Sequence, residues 1–141
     1  MELMNAYQTV MKGTVNMALA TCTGARPNVR VVTYGYDEGT PGRVYFTTFA
    51  GNQKVAEFEQ NPQVTLLPLP ESPDTPNQVR IHGRVQKSAK SLDEVAALIL
   101  QKAPFFAETL TAGRAGLIPY EVVFDEAMVT VGMTDAQPLK L

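Results

Sequence analysis

The chain changes hydrophobic period repeatedly, and each change marks an element. Leu3, Tyr7, Val10 and Met11 recur at helical spacing, so the first dozen residues read as a short amphipathic helix ending at Gly13. From Asn16 the pattern turns to β: residues 17–21, 28–36 and 43–48 are strand-length runs rich in Val, Thr, Tyr and Phe, parted by turns, one of them at 24–27. They predict a meander of three strands. Asn52 is placed to cap a short helix over 52–59 with Val55 and Phe58 inward, closed by Asn61-Pro62, and 63–67 form the next strand. Prolines at 68, 70, 73 and 76 lack the donors that a central ladder needs, so 68–77 is a loop.

Over 78–85 the alternation is clean. Val79, Ile81, Gly83 and Val85 share one face of a strand; Gln78, Arg80, His82 and Arg84 share the other. Ser91-Leu92-Asp93-Glu94 fits a capping box and opens a helix through Ala103, with Leu92, Val95, Ala96, Ile99 and Leu100 as its apolar stripe. Residues 120–124 and 128–131 flank a turn at 125–127. Six or seven strands with few helices predict a mainly β fold, a small barrel with flanking helices whose closure removes exposed edges.

Composition narrows the function classes. A length of 141 residues fits one domain spanning 1–141, and 45% hydrophobic with 18% charged residues is the balance of an ordinary globular protein. A net charge of -2 lacks the basic footprint of nucleic-acid binders. One cysteine, Cys22, excludes an internal disulfide, and with one histidine, His82, a zinc site of Cys and His ligands is out of reach. The N-terminus carries Glu2 and no long apolar run, so neither a leader nor a membrane span is expected, and a reducing cytoplasm is the default.

The strongest local chemical signal is Gly51-Asn52-Gln53-Lys54, directly after Phe46-Thr47-Thr48. A helix start presents unpaired amides and partial positive charge, Lys54 adds a full charge, and the threonine hydroxyls can donate, a combination suited to a phosphate. A solvated lysine on an ordinary capped helix has the same signature. Arg30 shares a strand face with Val32, Tyr34 and Tyr36, where a guanidinium needs an anion, either a ligand's or that of Glu57, Glu59 or another carboxylate. Gln78 and Arg80 on the polar strand face read equally as site, solvent-facing or subunit-contact residues. His82 on that face reads as exposed or at an interface, Cys22 as an inert thiol, and no catalytic triad or glycine-rich phosphate loop is present.

The order of these pieces, LAT, a G-x-x-x-P turn, NVRVV, VYFTT, GNQKV, QNPQVTL and QVRIHGRV, resembles the FMN-binding split-barrel superfamily related to pyridoxamine phosphate oxidase, and within it the short nitroimidazole-resistance-like branch. The resemblance covers roughly residues 17–88. It implies a homodimeric six-stranded split barrel with FMN at the subunit interface. Arg30, Val31, Val32 and Thr33 would line the flavin, Phe46, Thr47 and Thr48 would approach its ring and phosphate, and Asn52, Gln53 and Lys54 would hold the phosphate. Gln78 would add a contact, from the partner subunit in one arrangement, and Tyr34 and Tyr36 are candidates around an open flavin face. The family's usual Arg-Lys is here Gln53-Lys54, one cation fewer. The chain has no tryptophan and ends in MTDAQPLKL rather than the Arg-x-His segment of true pyridoxamine phosphate oxidases, which disfavours vitamin B6 oxidation. The expectation is an FMN-dependent oxidoreductase or flavin reductase acting on a small redox substrate. Its rivals are a non-catalytic, stress-related flavin binder and a split barrel that has lost FMN or holds haem or a deazaflavin.

Overall fold

A computed structural model describes residues 2–72, 74 and 76–141. In chain order the elements are α1 Glu2–Gly13, β1 Asn16–Thr23, β2 Arg26–Thr33, β3 Arg43–Phe49, α2 Gln53–Gln60, β4 Gln63–Pro68, β5 Gln78–Lys87, α3 Leu92–Lys102, α4 Phe106–Gly113, β6 Leu117–Val123, β7 Glu126–Thr130 and β8 Gln137–Lys140. The main path of the antiparallel sheet is β2-β1-β4-β5-β6-β3, with β7 beside β5 and β8 beside β7. Past the end of β2, Gly35 pairs with Tyr45 through amide-to-carbonyl bonds of 2.7 and 3.0 Å, so the two ends of the path meet and the sheet curls into a split barrel.

The expected meander is corrected here. β1 and β2 form a hairpin in which Thr23 faces Arg26 across a tight turn, and Gly24 supplies its φ of 60°. β3 instead runs in full register with β6 and touches the β2 extension only at the Gly35 bridge. The reason is α3. A Cβ at Gly35 would stand 2.8 Å from the Leu98 Cβ and 3.0 Å from the Ile99 amide, so the chain after β2 is pressed against this helix and bends out of a plain ladder. Strand two accordingly ends at Thr33 rather than at residue 36, β7 starts at Glu126 inside the expected turn, and α4 and β8 add to the expected elements. The expected loop over 68–77 is corrected at its start, because Pro68 is the last residue of β4 and stands opposite Met17 of β1, at the strand's end where a missing donor is tolerated; residues 73 and 75 lie outside the described residues.

Period-two burial sends Met17 and Leu19 of β1, Val64 and Leu66 of β4, Val79 and Ile81 of β5 and Val44 and Phe46 of β3 into one core, with Tyr7, Val10 and Met11 of α1 packed against it. A second cluster lies outside the barrel, where Val95, Ala96 and Ile99 of α3 and Phe106 of α4 cover Tyr45 and Leu117. The capping box of α3 forms as read, Ser91 accepting from the Glu94 amide while Glu94 accepts from the Ser91 amide. From the last turn of α3, Lys102 donates to the carbonyls of Met11 (2.5 Å) and Thr14 (2.9 Å), and its ammonium lies 3.5 Å from the Tyr34 ring centre.

Gly35→Ala is expected to destabilise the fold by about 1–3 kcal/mol through overpacking against α3, lowering the melting temperature by several degrees in a circular dichroism melt. An unchanged melting temperature would show that α3 does not press on the bridge.

Candidate functional site

Of the polar residues singled out by the sequence, Arg30, Thr48, Asn52, Gln53 and Lys54 lie where β1, β2 and β3 meet α2. Asn52 caps α2 with extended backbone (φ -72°, ψ 145°) and its side chain accepts from the Lys54 amide at 3.5 Å. Lys54 is half-buried, and its ammonium donates to the Thr48 hydroxyl at 3.1 Å. Burial pulls the Lys54 ammonium below the ordinary lysine value, the Arg30 charge adds to this, and Glu57 opposes it. Among the described residues no carboxylate lies within ion-pair distance of Lys54.

Arg30 takes the carboxylate reading. Its guanidinium donates to Glu57 at 2.5 Å and to the Thr21 hydroxyl at 2.9 Å. Glu57, on the inner side of α2, is 5% exposed and collects further donors: the Thr21 hydroxyl at 2.6 Å, Asn28 Nδ2 at 3.1 Å and Gln53 Nε2 at 3.1 Å. The Thr21 hydroxyl above all, then Arg30 and Gln53, hold the Glu57 carboxyl below its ordinary range despite burial. A buried charge is tolerable because every lone-pair direction finds a donor.

The other expected residues spread apart. On β2, Val32 packs on the core and Thr33 donates to Asn16 at 2.8 Å, whereas Val31 points outward, 60% exposed. The Phe46 ring is fully buried in the core, stacked on Tyr120 and edge-on to Phe58 of α2. Thr48 faces the same interior, and Thr47 the opposite side of β3. Gln78, exposed at the start of β5 opposite Thr130, is separated from β2 by β4 and β1. Tyr34 and Tyr36 do not border an open face: both are buried, with hydroxyls engaged by Thr14 and Met11 and by Gln8. Burial raises the Tyr36 hydroxyl to about 12.

Sequence reasoning missed Thr21 and Asn28, and held Glu57 only as one of several partners for Arg30. The signal for Thr21 was there: the period of two puts it on the inward face with Met17 and Leu19, where a hydroxyl needs a partner. A groove of about 920 Å³ runs between Cys22, Arg43, Thr65, His82, Arg84 and Phe124; of the cluster it includes Thr21 alone, and Arg30, Thr48, Lys54 and Glu57 do not line it. His82 Nδ1 lies 2.8 Å from the Thr65 hydroxyl. Among the described residues no group of His, Cys, Asp and Glu could hold a metal ion, and no helix is long and apolar enough to cross a membrane.

The protein family described as pyridoxamine 5'-phosphate oxidase-like matches residues 10–136. Among solved structures, a NimC/NimA family protein from Clostridium acetobutylicum is 19% identical, with 99% of this chain and 92% of that chain covered and a TM-score of 0.67. An FAD-binding protein from Mesorhizobium loti is 13% identical over 86% of this chain and 87% of that one, at a TM-score of 0.64. A haem binding protein from Mycobacterium smegmatis is 15% identical over 96% of this chain and 56% of that one, at a TM-score of 0.68. A search of curated proteins finds no match.

The depressed Glu57 carboxyl makes a pH prediction. Its folded value lies below the unfolded value of about 4.5, so its stabilisation is present above 4.5 and is lost as pH falls through the folded value. The melting temperature of the wild-type chain should therefore drop on acidification below 4.5, and Glu57→Gln should remove part of that drop. Parallel acid slopes in both proteins would assign the loss to other carboxylates.

Proposed function

We propose that this chain, which belongs to the pyridoxamine 5'-phosphate oxidase-like family, binds FMN and works as a homodimeric, cytoplasmic flavoprotein oxidoreductase on a small redox substrate. The observation that carries the reading is Lys54: a half-buried ammonium at the N-terminus of α2 whose side-chain partner is the neutral Thr48 hydroxyl. A cation desolvated there without a carboxylate of its own suits an external anion, and the adjoining amides of α2 add partial positive charge. The residues fit the phosphate end of FMN at Lys54, Thr48 and Asn52, while Arg30 and the Gln53 side chain are engaged by Glu57.

Bound flavin supplies the electron transfer; the chain's residues position it and set the charge around it. Gln78 enters this reading from the second copy, since it lies apart from Lys54 within one chain. Haem is the rival, because a haem binding protein shares the fold.

The absorbance spectrum of the purified protein separates the two: flavin bands support the proposal and a Soret band replaces it with haem. Lys54→Ala should weaken FMN binding by about tenfold or more, the loss of one charge-assisted hydrogen bond, in a titration followed by flavin fluorescence. Equal affinity in the two proteins would remove Lys54 from the phosphate site. Oxidation of a nicotinamide donor by the FMN-loaded protein tests turnover.

A further inference from the structure

The geometry points to Glu57 as an internal competitor for the cofactor's phosphate: its carboxylate occupies Arg30 and thereby sets how tightly this site takes a phosphorylated flavin over an unphosphorylated one. The inference rests on the flavin reading of the site and concerns the chain's own charge balance. Arg30 and Lys54 are close enough for the guanidinium to act on the lysine charge, and Glu57 acts on both. Of these cations only Lys54 has no carboxylate; Arg30 is bound by one that is 5% exposed and fastened by Thr21, Asn28 and Gln53 as well. A phosphate reaching Arg30 must displace a carboxylate held by three other donors, or share the guanidinium with it at the cost of like-charge repulsion. The three side chains sum to one positive charge, whereas the phosphate of FMN carries nearly two negative ones.

Gln53 belongs to the same device. Its amide reaches Glu57 four residues on and leaves the carboxylate's charge intact, so the direct ion pair of Glu57 is with Arg30. The chain thus holds phosphate through Lys54 and Thr48 and keeps Arg30 in reserve. Removing the Glu57 charge releases that reserve.

The test compares FMN with riboflavin, which lacks the phosphate, in the full-length wild-type chain, Glu57→Gln, and Glu57→Gln combined with Arg30→Gln. Affinities come from flavin fluorescence, and circular dichroism reports folding. Glu57→Gln should bind FMN about tenfold tighter, with riboflavin unchanged, and the added Arg30→Gln should erase the gain. Unchanged or weaker FMN binding by folded Glu57→Gln overturns the inference, as does an equal gain for riboflavin. Should Glu57→Gln fail to fold, Glu57→Asp keeps the charge but draws it back from Arg30; a smaller FMN-specific gain supports the inference and no gain overturns it. If neither flavin binds any variant, the flavin reading fails, and inorganic phosphate then decides separately. A phosphate-induced rise in melting temperature in Glu57→Gln but not in wild type upholds the competition for Arg30, and equal shifts overturn it.

Discussion

The sheet path ends in two strands, β2 and β3, and the molecule depends on how those edges are brought together. Left apart, each would present a row of unpaired amides and carbonyls. The bridge between Gly35 and Tyr45 joins them with only two hydrogen bonds, too few to hold a barrel closed without support. The support is α3, packed on both partners: its backbone lies against Gly35, and Val95, Ala96 and Ile99 form the cluster that covers Tyr45. The same helix reaches further through Lys102, whose ammonium binds the carbonyls at the end of α1 and so fastens the helix that packs on the barrel core. Burial pulls that ammonium down to about 7, against which the carbonyls and the face of Tyr34 favour the charged form. One helix outside the barrel therefore secures both the seam and the end cover.

Closure also decides where charge can sit. Where β1, β2 and β3 meet α2, the inward positions of these strands carry polar side chains at Thr21, Asn28, Arg30 and Thr48, and α2 presents Glu57 and Lys54 to the same place. Such a group is stable only if its charges nearly cancel or if something else completes it. Arg30 and Glu57 cancel. Lys54 does not, and its position beside the start of α2 adds to the positive side. A half-buried cation without a carboxylate carries a desolvation cost that an incoming anion would offset.

Much of this was legible from the chain alone, for identifiable reasons. Strands such as 78–85 alternate without interruption, and caps such as Ser91 with Glu94 announce themselves by spacing, so these elements and most inward residues were readable. β8 was not: Gln137–Lys140 is short and exposed, and it exists only because β7 offers an edge to pair with. The partnering of β3 with β6 was hidden as well, since it depends on a helix more than fifty residues away in sequence pressing on one glycine. At the site, the residue types were readable and the pairings were not. Arg30 needed an anion, but several carboxylates stood nearby in sequence, and only the curl of β1 and β2 onto α2 selects Glu57.

That selection is a matter of side chains set on a shared scaffold. An FAD-binding protein and a haem binding protein share this fold at low sequence identity, so the barrel itself does not choose the ligand. It supplies a frame in which a few inward positions near the start of α2 carry polar side chains. Chemistry is then set by which charges those positions carry and how completely they satisfy one another. A chain with two unengaged cations there would grip a phosphate strongly, and one with full internal cancellation would ignore it. In the present chain one cation is spent on an internal carboxylate and one is open.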